Sequence, residues 1–164
     1  HTRLPACGMS GTRRASPRVF QPTTCRRMPM SMPMPMPMLS IYLVGADPDL
    51  SARLPASLGY AIPVNVIATE CDEACALHWL TRNDNMADLV IVDMFLQGGT
   101  GLGFLRRTQS ARRRCKTVVL SHFVSHDMRR KCMALGADKV FDKGTEIGSL
   151  AAYCQGLAAG VTLN

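Results

Sequence analysis

Five short apolar runs, each ending in polar or small residues and each leading into a segment with helical spacing, restrict this chain to an alternating α/β fold. The first run is Ile41-Tyr42-Leu43-Val44. It leads through Gly45-Ala46-Asp47-Pro48-Asp49 into a segment with Leu50, Leu54 and Leu58 at i, i+4 and i+8, capped by Asp47 or Asp49 and stopped by Gly59. A second strand is expected over Ile62 to Ala68, with Pro63 placing its start near an edge. A helix is expected over Glu70 to Arg82, closed by the turn cluster Asn83-Asp84-Asn85. Leu89-Val90-Ile91-Val92 has no polar face, so it reads as a central strand buried on both sides and ending at Asp93. After the polar turn Gly98-Gly99-Thr100-Gly101 a helix is expected through about Arg113, with Leu102 and Leu105 facing inward. Thr117-Val118-Val119-Leu120 ends at Ser121, and a helix from Asp127 to Leu135 is stopped by Gly136. Lys139-Val140-Phe141 runs out into Asp142-Lys143, and Thr145 can cap a last helix reaching about Ala159. Strands that alternate with helices and are apolar throughout make a parallel sheet covered on both faces. The expected architecture is a doubly wound three-layer sandwich with five parallel strands.

Residues 1–38 differ in kind. They hold seven of the ten prolines and seven of the eleven methionines, ending in a Met-Pro alternation from Met32 to Met38. Proline at every second position removes backbone donors and fixes φ, so neither a helix nor a sheet ladder can form there. A disordered leader, or upstream sequence outside the native chain, is expected, with an organellar transit segment as the alternative. His1 at the start suggests a fragment or a trimmed product. The net charge of +7 is concentrated here, in Arg3, Arg13, Arg14, Arg18, Arg26 and Arg27 with no acid. Removing those six from 19 leaves 13 Lys+Arg against 12 Asp+Glu over residues 39–164, a near-neutral domain that argues against direct nucleic-acid binding. The seven cysteines are irregularly spaced and no secretory segment precedes them, which points to reduced thiols and a cytoplasmic protein. No apolar run approaches the roughly 18 residues of a membrane span.

Reactive groups in an open α/β sheet gather beyond the carboxyl ends of the strands. Here those ends offer Gly45, Ala46 and Asp47 from the first strand, Asp93 from the third, Ser121 from the fourth and Lys143 from the fifth. A carboxylate, a hydroxyl and an ammonium in one crevice suit phosphoryl transfer. The carboxylate can take the phosphoryl group, while the other two neutralise charge on the transferred oxygens.

Over essentially all of 40–160 the chain resembles the response-regulator receiver family. Asp93-Met94-Phe95-Leu96-Gln97-Gly98-Gly99-Thr100-Gly101 is similar to the family's phosphorylation loop, Val118-Val119-Leu120-Ser121 to its fourth strand with a Ser/Thr, and Gly136-Ala137-Asp138 before Lys143 to the segment preceding its lysine. The resemblance implies a flavodoxin-like strand order 2-1-3-4-5 and Asp93 as phosphoacceptor, assisted by Ser121 and Lys143. It further implies Mg²⁺ held by Asp93, the Phe95 carbonyl and an acidic pair after the first strand, and phosphorylation by a histidine kinase or phosphotransfer protein. Signalling would then follow by docking to a protein effector through the fourth helix, fifth strand and fifth helix. Such a domain is a signalling module and not an enzyme, and only Gly160 to Asn164 follow its last helix, so a stand-alone receiver is expected.

Several positions depart from the family pattern. Gly45 and Ala46 replace the acidic pair, and the nearest carboxylate, Asp47, stands one residue late as a third metal ligand. Gln97 replaces a proline, Gly144 stands where proline often follows the lysine, and Val140 takes the place of the switch aromatic. Phe141 is one residue along and should face the other side of the sheet. A degenerate receiver with weak, slow or absent phosphorylation is therefore expected. The alternative is a pseudo-receiver that acts as an interaction module without phosphorylation, and a third possibility is a small α/β ester hydrolase using Thr100.

Other patterns read more plainly. Gly99-Thr100-Gly101-Leu102-Gly103 imitates a dinucleotide loop, but the spacing fails at Phe104. Cys71, Cys75 and His78 fall at i, i+4 and i+7. One helix face packing half-buried thiols is expected there, because no fourth metal ligand is evident. The clusters Arg112-Arg113-Arg114-Lys116 and Arg129-Arg130-Lys131 read as solvated helix ends, and His122 and His126 as loop surface.

Overall fold

The computed structural model describes residues 38–45, 49, 52–54, 56, 63–83, 86–111 and 114–160. Its named elements run β1 (Leu39–Val44), β2 (Val64–Glu70), α1 (Glu73–Arg82), β3 (Leu89–Asp93), β4 (Phe95–Leu96), β5 (Gly99–Thr100), α2 (Gly101–Thr108), β6 (Lys116–Ser121), α3 (His126–Ala134), β7 (Lys139–Asp142) and α4 (Ile147–Ala158). Five strands pair in parallel in the order β2-β1-β3-β6-β7, which is the expected 2-1-3-4-5 order once the short β4 and β5 are set aside. Ile41 lies opposite Leu89, Val90 opposite Thr117 and Val119 opposite Val140.

The continuous apolar strands are explained by burial on two sides. On one face Ile41, Leu43, Leu89, Ile91, Val118, Leu120 and Phe141 pack with Leu54 and with Leu150, Tyr153 and Cys154 of α4. On the other, Tyr42, Val44, Val90 and Val92 meet Ala76 and Leu80 of α1 and Phe104 of α2, while Val119 and Val140 meet Leu105 and Cys132. Strand alternation sends Val140 and Phe141 to opposite faces, as expected. Asp47, Leu50, Leu58 and Gly59 lie outside the described residues, whereas Asp49 and 52–54 are helical.

Several boundaries differ from the sequence reading. Strand β2 extends to Glu70, because it continues the ladder with β1, where Val44 pairs with Glu70. Helix α1 therefore starts at Glu73, capped by Asp72, whose side chain accepts the Ala74 and Cys75 N–H groups. Cys71 precedes that helix, and Cys75 and His78 are exposed; its buried face is Glu73, Ala76 and Leu80, so no thiol face packs there. Helix α2 stops at Thr108, whose hydroxyl bonds back to the Phe104 carbonyl, well short of Arg113. The Gly-rich turn is a small antiparallel hairpin of β4 and β5. Its two-residue connection ends in Gly98 at φ +69°, a left-handed conformation that suits glycine. Ser125 caps α3, and Gly136 at φ +89° closes it as expected. Thr145 does not cap the last helix. Glu146 occupies that position with no side-chain cap, its carboxylate accepting instead from the Asp142 N–H and from Arg129.

Candidate functional site

Adjacent parallel strands carry their C-terminal residues to one edge of the sheet. Asp93 closes β3, Ser121 closes β6 beside it, and Lys143 follows β7 directly. The backbone knits these ends together: the Met94 N–H donates to the Leu120 carbonyl, and the Lys143 N–H to the Ser121 carbonyl at 2.9 Å. The Lys143 ammonium contacts Asp93 Oδ2 as a close ion pair, and both side chains are buried. Asp93 Oδ1 accepts the Phe95 N–H at 3.1 Å, so both carboxylate oxygens have partners. The Ser121 hydroxyl, itself buried, is turned to its own loop, donating to the Phe123 carbonyl at 3.2 Å. The structure thus joins Asp93 and Lys143 and places Ser121 on the neighbouring strand. Phe95 and Phe123, at 69% and 83% exposed, flank this edge as bare aromatic rings.

The described residues do not fit a divalent cation. Mg²⁺ needs near-octahedral oxygen ligation, usually with one or two carboxylates. No cluster of three His, Cys, Asp or Glu side chains exists among the described residues. Asp93, the carboxylate expected to anchor the ion, is already paired with the Lys143 ammonium. Gly45 supplies no ligand, and a Cβ at that position would stand 2.5 Å from the Asp93 Cβ, so the space where an acid would project is filled. Of the expected ligands, Asp93 is thus engaged elsewhere, the Phe95 carbonyl lies in β4, and Asp47 lies outside the described residues.

Sequence reasoning missed Glu73. It is 5% exposed, yet nothing in Asp72-Glu73-Ala74 marks it as other than a solvated first-turn acid. The second basic cluster is also less free than expected. Arg130 and Lys131 pair with Asp127, whose carboxyl they hold below its usual range, first through the Lys131 hydrogen bond and then through Arg130. Arg129 pairs with Glu146. No helix among the described residues is long and apolar enough to cross a membrane.

A doubly wound sheet with a carboxylate and a lysine brought together at one edge, from the strands on either side of β6, defines a flavodoxin-like α/β protein. The profile of the response regulator receiver domain matches residues 41–155, and the chain belongs to that family. Solved structures agree on the fold. A two-component response regulator of the LuxR family from Aurantimonas sp. SI85-9A1 superposes with TM-score 0.64 at 18% identity, over 76% of this chain and 87% of that one. CheY in the CheX-CheY-BeF3-Mg+2 complex from Borrelia burgdorferi gives 0.64 at 14%, over 76% and 90%. A CheY-like receiver domain protein from Methanospirillum hungatei JF-1 gives 0.61 at 15%, over 75% and 95%. No curated protein matches the chain by sequence.

Proposed function

We propose that residues 39–164 act as a receiver that accepts a phosphoryl group on Asp93 from a histidine kinase or phosphotransfer protein and signals by docking to a protein effector. The 1–38 segment is a leader outside that domain. The observation that carries this reading is the buried Asp93–Lys143 ion pair at the carboxyl edge of the sheet, beside Ser121. In the transfer, an Asp93 oxygen forms a bond to phosphorus as the bond from phosphorus to the donor imidazole nitrogen breaks, and the electron pair returns to that nitrogen. Lys143 moves with the negative charge onto the phosphoryl oxygens, and the Ser121 hydroxyl turns from Phe123 to donate to one of them.

With one cation in place of an ammonium and a divalent ion, the transfer is slow. A charge contact at about 4 Å is worth about 4 kcal/mol at an effective dielectric of 20. Its loss from the transition state costs about a thousandfold in rate. Incubation with acetyl phosphate, followed by intact mass, tests this. Slow incorporation that is insensitive to Mg²⁺ and abolished by Asp93→Asn is expected. Incorporation that survives Asp93→Asn, or a fast reaction saturating at micromolar Mg²⁺, would overturn it.

A phosphorylation-independent interaction module is the second reading. It would draw on the engagement of both Asp93 oxygens and the filled space beside Gly45. An Asp93→Asn strain with undiminished signalling selects this reading over the first.

A further inference from the structure

We infer that Glu73 is the positioning residue of the acceptor loop, its buried carboxylate fixing the β4–β5 hairpin so that the Phe95 N–H is held on Asp93. Glu73 stands at the start of α1, the element before β3, and reaches Asp93 through a chain of directed bonds. Its Oε2 accepts the Thr100 N–H at 3.0 Å. Thr100 is paired antiparallel with Phe95, and the Phe95 N–H donates to Asp93 Oδ1. The backbone repeats the tie, since the Glu73 N–H donates to the Gln97 carbonyl and the Gln97 N–H to the Cys71 carbonyl, each at 3.0 Å. Arg107 completes the carboxylate's partners, donating to Oε1 at 2.9 Å from the last turn of α2. An ionised carboxylate this buried persists only with such donors.

The glycine run that imitates a dinucleotide loop is shaped around this side chain. A Cβ at Gly99 would lie 1.4 Å from Glu73 Oε2, and one at Gly103 would lie 3.2 Å from Oε1. A Cβ at Gly101 would lie 2.6 Å from the Asp93 carbonyl, so the same run lets the start of α2 close onto β3. The loop thus closes around an internal carboxylate.

The consequence for phosphoryl transfer rests on Asp93 being the acceptor; the positioning itself does not. Amide hydrogen exchange by NMR on the full chain reads the positioning directly. Glu73→Ala is expected to speed exchange at Thr100 and Phe95 about tenfold, the size of one lost charge-assisted hydrogen bond, with Val90, Ile91 and Val92 unchanged. Glu73→Asp keeps the charge but withdraws the carboxylate by one methylene, and should match Glu73→Ala at Thr100 and Phe95. Glu73→Gln retains an acceptor oxygen and should restore most of the protection. Unchanged exchange at Phe95 in both Glu73→Ala and Glu73→Asp, or an increase shared equally by the β3 amides, would overturn the inference. Phosphate incorporation from acetyl phosphate should fall about tenfold in the same two variants. If the unsubstituted chain takes up no phosphate, the acceptor reading fails, while the exchange pattern still decides the role of Glu73.

Discussion

Asp93 and Lys143 lie fifty positions apart and meet because β3 and β7 flank β6 and end at the same edge. Both side chains are buried, so removing one partner leaves a charge without its counterion. Lys143→Met is expected to cost about 3 kcal/mol in urea unfolding. Adding Asp93→Asn to it should recover part of that loss, and a double mutant no more stable than Lys143→Met would show that the two charges are not coupled. Buried acids of α4 give the domain an alkaline limit. Burial pushes the Cys154 thiol up to about 12, and burial followed by the Asp138 charge raises the Tyr153 hydroxyl to about 12 as well. The folded state keeps these protons longer than the unfolded chain does. Their contribution is complete below about pH 9, where an unfolded thiol begins to ionise, and is lost as pH rises toward 12. The urea midpoint should therefore fall between about pH 9 and about pH 11, and Cys154→Ser should flatten the lower part of that fall.

Helix ends show where local chemistry governs an element and where it yields. Asp72 and Ser125 are residue types that favour N-caps, and each accepts from the first turn of its helix. Asp72→Ala should cost about 1 kcal/mol of stability, read as a lower urea midpoint with an unchanged slope; no loss would mean that the cap is replaced by water. Thr145 is as good a cap by type, yet α4 begins after Glu146. The carboxylate of Glu146 is drawn to Arg129 and to the Asp142 N–H, and this tertiary pairing displaces the cap. Strand β2 lengthens for a similar reason, since its partner β1 offers ladder positions as far as Val44.

At the scale of the whole molecule, one sheet with two covered faces supplies both the stability and the placement of the site. Leu120 is fully buried between β3 and β7 and packs in the cluster that includes Leu150. Leu120→Ala should cost about 3 kcal/mol, read as a lower urea midpoint. Binding to the native state alone raises its stability. Millimolar Mg²⁺ is therefore expected to leave the Tm of this chain unchanged, and a rise of several degrees on adding Mg²⁺ would show a cation site that the described residues do not provide.

The sequence by itself determined the five parallel strands, their apolar faces, and the ends at which Asp93, Ser121 and Lys143 stand. Each of these follows from local pattern: runs without a polar face, turn residues between them, and a polar group where each run stops. Only the tertiary structure decided that Lys143 already holds the Asp93 carboxylate, that Ser121 faces its own loop, that the space beside Gly45 is filled, and that Glu73 is buried under the acceptor loop. These are contacts between residues from distant segments. Whether a carboxylate at the start of a helix meets water or a neighbouring N–H depends on which loop is packed against it, and spacing along the chain carries no record of that.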